Sequence, residues 1–219
     1  LGKPLRMWRI YLHFNATSAI SWGTWFLSIF LFVSLAYAWC LTRGEDEKAK
    51  KFAYAGLPFG FLVATYTAII LAQSPGKELW RHIVAIIPWL FLVGALISGI
   101  ALVMLVAACS DRRDNALLAK LGRFVTYLII LELALIFTDA IVLLNGSANA
   151  VKSAKSFLVG DFSFLFWVPE IILGALIPAI VLLRSGLSAK GYAIVSMSIM
   201  IGVYMMRYIV VIGGQIIGS

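Results

Sequence analysis

Six long apolar stretches separated by short polar connections make up most of the chain. They run over Ala16–Leu41, Phe52–Ser74, His82–Cys109, Leu121–Asn145, Ser156–Leu183 and Gly191–Gln215. A helix needs about 20 apolar residues to cross the hydrocarbon core of a bilayer, and each stretch is long enough. Because backbone polar groups in lipid must be hydrogen-bonded within the protein, the pattern predicts an all-α integral membrane protein with a bundle of six transmembrane helices.

Composition supports this environment. The 219 residues are 62% hydrophobic and 13% charged, and the mean hydropathy is +0.98. A soluble domain contains about a quarter charged residues, so this chain could not cover a water-facing surface. The net charge of +8 comes from cations in the connections between spans. Basic connections beside membrane helices set orientation or contact lipid headgroups, so we expect a lipid bilayer as partner and no nucleic acid.

The cations are divided unequally between the two sides of the predicted bundle. The side of the N-terminus, side A, receives seven: Lys3, Arg6, Arg9, Lys77, Arg81, Lys152 and Lys155. The opposite side, side B, receives ten: Arg43, Lys48, Lys50, Lys51, Arg112, Arg113, Lys120, Arg123, Arg184 and Lys190. Because the more positive loops stay in the cytoplasm, we expect side B to be cytoplasmic and side A external.

Four residues of charged types lie deep inside the predicted spans, away from their ends. Glu132 and Asp139 are seven residues apart in the fourth span and therefore share a helix face; Glu170 lies in the fifth span and Arg207 in the sixth. At 1.5 Å per residue, Asp139 and Arg207 both lie about 10 Å below side A, which predicts a salt bridge, and both glutamates lie about 20 Å below it. Buried ionisable groups can form a proton or cation pathway. The alternative is a structural ion pair with hydrogen-bonded, protonated glutamates.

The sequence encodes no metal centre that we could identify. Cys40 and Cys109 form no C-x-x-C motif, and His13 and His82 lie at span boundaries, whereas a transmembrane haem pair needs axial ligands deep in more than one helix. There is also no phosphate-binding loop and no Ser/His/Asp set. We therefore expect no catalytic residue, metal site, haem or iron–sulfur cluster in this chain, so any redox metals would belong to a partner.

Two polar features lie near side A. His13, Asn15, Thr17 and Ser18 stand where the chain enters the first span, and they could either cap the helix or line a ligand site. Tyr66 lies about 12 Å from the side-A end of the second span. A buried tyrosine is often simply core, with its hydroxyl bonded to some acceptor. Both alternatives stay open from the residues alone.

Several stretches together resemble the NrfD/polysulfide-reductase membrane-anchor family. They are "LGKPLRMWRIYLHFNATSAISWGTW", "YTAIILAQ", "LWRHIVAIIPWLFLVGALISGIAL" and "MRYIVVIGGQ". The resemblance covers nearly the whole chain and implies a single NrfD-like transmembrane domain over residues 1–219. Members usually have eight or more helices, and "LGKPLRMWR" resembles the segment after the second one. The resemblance therefore implies that the first two helices are missing from this sequence.

The resemblance also implies a function. Family members bind quinone, either menaquinone or ubiquinone, and exchange electrons with a 4Fe–4S ferredoxin-like subunit that is often joined to a molybdopterin or other catalytic subunit. Such a complex lies in the inner membrane of a bacterium or archaeon, and proton translocation can accompany the reaction. Tyr66 matches the family's quinone-binding tyrosine, which implies that His13, Asn15, Thr17 and Ser18 lie at the rim of a pocket facing the partner.

Other functions fit some of the same residues. A secondary transporter or a proton- or ion-conducting subunit would use Glu132 and Glu170 together with helices interrupted by prolines, namely Pro58, Pro88 and Pro178. A purely structural anchor is a third alternative. A bound quinone or a copurifying iron–sulfur protein would distinguish the electron-transfer subunit from both.

Overall fold

The computed structural model describes residues 8–73, 86–110, 114–184 and 187–217, which form helices and turns without a strand. The helices, in chain order, are α1 (Arg9–Leu12), α2 (Ala19–Thr42), α3 (Asp46–Ala72), α4 (Ile87–Cys109), α5 (Asn115–Leu144), α6 (Ala148–Leu158), α7 (Ser163–Leu165), π1 (Phe166–Leu176), α8 (Ile177–Leu183), α9 (Ala189–Tyr208), π2 (Ile209–Gly213) and α10 (Gly214–Ile217). The segments named π1 and π2 have π-helical hydrogen bonding.

Six candidate membrane spans lie within the described residues. They are Ala19–Thr42, Asp46–Leu71, Ile87–Cys109, Asn115–Leu144, Ser163–Leu182 and Ala189–Ile216. The predicted all-α membrane fold with six spans is therefore confirmed. The predicted boundaries at Ser74 and His82 lie outside the described residues.

Three predicted span boundaries differ from the structure by six residues or more. The second span begins at Asp46 and not at Phe52. The fourth span begins at Asn115 and not at Leu121, because the Asp114 side chain caps the helix by accepting hydrogen bonds from the N–H groups of Ala116 and Leu117 at 2.8 and 3.2 Å. The fifth span begins at Ser163, since α6 ends at Leu158 and a turn separates the two.

The chain forms two compact units, Leu1–Ile70 and Leu71–Ser219. In the first unit, α2 and α3 form an antiparallel hairpin whose turn contains Gly44, with φ of +70°. A Cβ atom added at Gly60 would lie 3.2 Å from the Phe30 ring, and one at Gly56 would lie 3.4 Å from Val33. The G-x-x-x-G spacing thus marks a close helix contact in this unit.

The second unit is a helical bundle with its own core. Helix α9 packs against α4 and π1, and α4 packs against α5. The interior contains fully buried apolar side chains, among them Ile97, Met104, Leu118, Ile129 and Ile199. Many other large apolar side chains of these helices are exposed, as expected for surfaces that face lipid.

A close helix contact in the second unit joins Gly174 of π1 to Gly202 of α9. A Cβ atom added to either glycine would overlap the backbone of the other. Beside this contact, the Ser198 hydroxyl of α9 donates a hydrogen bond to the Leu173 carbonyl of π1. Only glycine lets the two backbones approach this closely, so the pair fixes the position of π1 against α9.

We predict that Gly202→Ala destabilises the second unit. The added methyl group would meet the Gly174 backbone, which cannot rotate away, and overpacking of this kind lowers the free energy of unfolding by about 2 kcal/mol. Gly99→Ala is the matched control in α4, because no atom lies within 4 Å of its added Cβ. Unfolding of both variants in mild detergent measures the difference, and equal stability would contradict the proposed contact.

Candidate functional site

The ring of Tyr66 lies against Gly23 in the α2–α3 hairpin. A Cβ atom at Gly23 would overlap the ring atoms Cδ2 and Cε2 of Tyr66 and lie 3.0 Å from Cζ. Tyr66 is half-buried, and its hydroxyl makes no hydrogen bond to any described residue. Gly23 is five residues beyond Ser18, so the contact lies about 7.5 Å along α2 from its first turn. The hairpin thus places a phenol, whose hydroxyl is bonded to none of the described residues, near the N-terminal end of α2.

The polar residues 13–18 form the turn between α1 and α2. The Asn15 Oδ1 atom accepts hydrogen bonds from the N–H and the hydroxyl of Thr17, at 3.0 and 2.8 Å. Ser18 is the N-cap of α2 but makes no side-chain capping bond. His13, Asn15 and Thr17 have exposed side chains. Asn15 and Thr17 therefore close the turn, and none of the described hydrogen bonds joins this segment to Tyr66.

Helix α1 folds back along α2. The Tyr11 hydroxyl is 2.8 Å from the Ser28 hydroxyl, and the Tyr11 ring meets Trp25 edge-on at 5.8 Å. The Phe14 ring meets Trp22 in the same way at 5.1 Å. Sequence reasoning missed these contacts, because the aromatic residues around α1 gave no indication that this short helix packs on α2. They pack against the side of α2 that carries Trp22 and Trp25, which stay 44% and 41% exposed.

Two carboxylates share a small cavity in the second unit. Glu132 of α5 and Glu170 of π1 are each only 6% exposed. Both line a cavity of about 10 Å³, together with Ile136, Gly174, Ala175 and other apolar residues of π1 and α9. Glu132 Oε1 and Glu170 Oε2 have no hydrogen-bond partner among the described residues. The structure therefore brings the two predicted glutamates together.

Asp139 lines a second and larger cavity. It has a volume of about 40 Å³, enough for a few water molecules, and opens partly to the outside. Glu170 lies in its wall as well, as do Ile136 and Met206. Glu170 thus borders both cavities, and the three acidic residues Glu132, Glu170 and Asp139 follow one another along the two cavities.

The predicted Asp139–Arg207 salt bridge does not form. No ion pair joins the two residues, and Asp139 Oδ1 and Arg207 Nε have no partner among the described residues. The Arg207 guanidinium instead lies 5.6 Å from the centre of the Phe91 ring of α4. It is near enough to Glu132 for a Coulomb attraction, but these two residues form no ion pair within 4.0 Å either. Successive residues of a helix point about 100° apart. Met206 lines both the Asp139 cavity and the Glu132 cavity, so its neighbour Arg207 lies on a different face of α9 from the one that borders the two cavities.

Glu170 lies inside a π-helical segment that also contains Pro169. π-Helical turns are rare and often occur at functional sites. Sequence reasoning placed Glu170 correctly in the fifth span but missed this geometry, since apolar composition does not distinguish i→i+5 from i→i+4 bonding. Pro169 directly before Glu170 was the available signal, because proline removes a helical hydrogen bond.

Comparison with known proteins identifies the family. The sequence model of the family described as "Polysulphide reductase, NrfD" matches residues 1–218. The chain belongs to the polysulphide reductase NrfD family. This confirms the resemblance inferred from the sequence, and the six spans show a multi-pass membrane protein of the NrfD family.

Two curated relatives align with nearly the whole chain. A selenate reductase subunit of Mesobacillus selenatarsenatis is 24% identical over an alignment of 255 positions. The alignment covers 97% of this chain and 59% of the relative. The NrfD homolog of Haemophilus influenzae is 21% identical over an alignment of 244 positions, which covers 99% of this chain and 75% of that protein. No solved structure matches the chain. The chain thus spans about three fifths of the length of the selenate reductase protein.

We predict that Arg207 is energetically coupled to Glu132 and not to Asp139. Double-mutant cycles would combine Arg207→Gln with Glu132→Gln or with Asp139→Asn. We expect a coupling energy of about 1 kcal/mol for the Glu132 cycle, because the two opposite charges would attract each other at this separation, and one near zero for the Asp139 cycle. Unfolding of each variant in detergent gives the values. A larger coupling energy for the Asp139 cycle than for the Glu132 cycle would support the salt bridge that the sequence predicted.

Proposed function

We propose that this chain is the membrane anchor subunit of a respiratory oxidoreductase complex and binds quinone or quinol near Tyr66. The observation that carries the proposal is the half-buried residue Tyr66, whose hydroxyl is hydrogen-bonded by no described residue, in a chain of the NrfD family. A phenol of this kind can donate a hydrogen bond to a quinone carbonyl. The alternative of a tyrosine that serves only as core is less favoured, since such a hydroxyl normally has an acceptor within the protein.

The quinone is a substrate in this proposal, and either menaquinone or ubiquinone fits it. Reduction of a quinone to a quinol takes up two electrons and two protons. Tyr66 would orient one carbonyl. The exposed side chains of His13, Asn15 and Thr17, with the half-buried Ser18, would form the polar rim at the same end of α2. These residues would bind and orient the headgroup without changing oxidation state themselves.

The electrons would pass between the quinone and a partner protein. We expect a 4Fe–4S ferredoxin-like subunit, joined to a molybdopterin or other catalytic subunit, on side A. One relative is named as a subunit of a selenate reductase, which supports membership in a multi-subunit reductase. We expect the complex in the inner membrane of a bacterium or archaeon. Copurification in mild detergent would identify the partners.

The acidic residues of the second unit would carry protons in this complex. Glu132 and Glu170 line one cavity, Glu170 and Asp139 line the other, and the larger cavity has room for water. Carboxylates separated by water can pass protons by exchange of hydrogen bonds. Arg207 would attract the negative charge that Glu132 carries after it releases a proton.

A secondary transporter or proton- or ion-conducting subunit is the alternative function. Glu170 lies in an interrupted helix beside a second buried carboxylate, an arrangement that also occurs in transporter binding sites. Cation flux through vesicles that contain no quinone would favour this alternative, whereas flux that requires quinone turnover would favour the anchor subunit.

We predict that Tyr66→Phe weakens quinone binding while the protein still assembles. Loss of one hydrogen bond of about 1 kcal/mol corresponds to about a fivefold increase in Kd. Tyr54→Phe is the matched control, because Tyr54 lies on the same helix and is 72% exposed. Titration of the purified protein with decylubiquinone measures Kd. Equal values for Tyr66→Phe and wild type would count against the quinone site.

We also predict that Glu132→Gln or Glu170→Gln slows quinone-linked proton movement but leaves quinone affinity unchanged. Glutamine preserves the shape of the side chain but cannot release a proton. Glu47→Gln serves as control, because the Glu47 side chain is 83% exposed in the first turn of α3. The complex in sealed vesicles gives the pH change per quinone turned over. If both variants match wild type in rate and in proton stoichiometry, the carboxylates are structural.

A further inference from the structure

Gly23 occupies a position where glycine is unfavourable for the helix itself. It lies in the second turn of α2 and is buried, with the edge of the Tyr66 ring directly against its backbone. Glycine in a helix interior loses more conformational entropy on folding than any other residue, so an unconstrained position would favour alanine. The contact with Tyr66 is what makes glycine necessary here, since any side chain would enter the space of the ring.

The same hairpin contains a second contact of this type. Gly60 lies against the ring of Phe30, 3.2 Å from the position of an added Cβ. An aromatic ring on a glycine is thus a repeated way of packing α2 against α3. The two contacts differ in chemistry, because Phe30 has no polar group to place, whereas Tyr66 has a hydroxyl that no described residue binds.

We infer that Gly23 is a positioning residue for the proposed quinone site, because its missing side chain fixes where the Tyr66 hydroxyl stands. This inference rests on the proposed function. The ring meets Gly23 along its Cδ2–Cε2 edge. Rotation of the ring about its long axis would move these two atoms away, but Cζ lies on that axis only 3.0 Å from the added Cβ, so a methyl group at residue 23 also shifts the axis. The hydroxyl lies beyond Cζ, at the far end of the side chain, and moves at least as far. An O–H···O hydrogen bond spans only about 2.5–3.0 Å, so a shift of about 1 Å breaks it.

The test is a set of variants titrated with decylubiquinone in the purified full chain. Gly23→Ala is expected to raise Kd about fivefold, as Tyr66→Phe does, because both lose the same hydrogen bond. The double variant Gly23→Ala/Tyr66→Phe is expected to bind like Tyr66→Phe alone. Gly60→Ala is the matched control, since it adds the same methyl group to the same hairpin against Phe30, and its Kd should equal that of wild type.

The outcomes separate this inference from the proposed quinone site. If Tyr66→Phe weakens binding but Gly23→Ala does not, the positioning role of Gly23 is wrong and the quinone site stands. Additive losses in the double variant also overturn it, because Gly23 would then act through helix packing. A Gly60→Ala variant that binds quinone as poorly as Gly23→Ala would also overturn the inference, because any disturbance of helix packing in the hairpin would then weaken binding. If Tyr66→Phe itself changes nothing, the quinone site fails, and the inference fails with it.

Assembly of the Gly23→Ala variant provides a second measurement. Should this variant not fold, the double variant Gly23→Ala/Tyr66→Leu replaces the ring by a shorter side chain that leaves room for the methyl group. We expect it to recover folding, as measured by a monodisperse elution profile in detergent, and to keep the raised Kd of a chain without the Tyr66 hydroxyl. Continued failure to fold would show that Tyr66 is not what makes glycine necessary at residue 23.

Discussion

The need to bond every backbone polar group inside the membrane underlies the rest of this structure. It imposes helices on all six spans. Where the backbone departs from α-helical bonding, a neighbouring group must supply the missing hydrogen bond. In π1, the Ser198 hydroxyl binds the Leu173 carbonyl, and the Gly174–Gly202 contact brings α9 close enough for that bond. Because Glu170 lies in the same segment, the two cavities and the carboxylate between them depend on this contact.

Glycine at helix contacts has a second consequence for the polar residues. In lipid, helices associate through close packing, and small residues make that packing possible. Gly23 leaves space for the Tyr66 ring, and a Cβ added at Gly94 would lie 3.4 Å from Glu132 Oε1. Gly174 and Gly202 line the cavity that Glu132 shares with Glu170. The residues that bring the helices together therefore also provide the room in which the phenol and the carboxylates lie.

The sequence predicted the fold better than the arrangement of the polar residues. Hydropathy identifies the spans because crossing a bilayer demands long apolar helices, and spacing placed Glu132 and Glu170 at a similar depth. The same reasoning failed for Asp139 and Arg207, since the rise per residue gives depth but does not say which neighbouring helix a side chain faces. Nor does any local pattern distinguish Gly23 from other glycines, because its role arises from Tyr66, 43 residues later in the sequence.

A tyrosine suits the proposed site because the substrate changes its hydrogen-bonding character during the reaction. A quinone carbonyl only accepts hydrogen bonds, whereas a quinol hydroxyl can also donate one, and a phenol can both donate and accept. The Tyr66 ring must therefore stay in one place while its hydroxyl proton rotates between partners. The contact with Gly23 constrains the ring, and the described residues leave the hydroxyl unbonded. Such a site would bind both redox forms, so the potential of the electron partner, and not Tyr66, would decide the direction of electron flow.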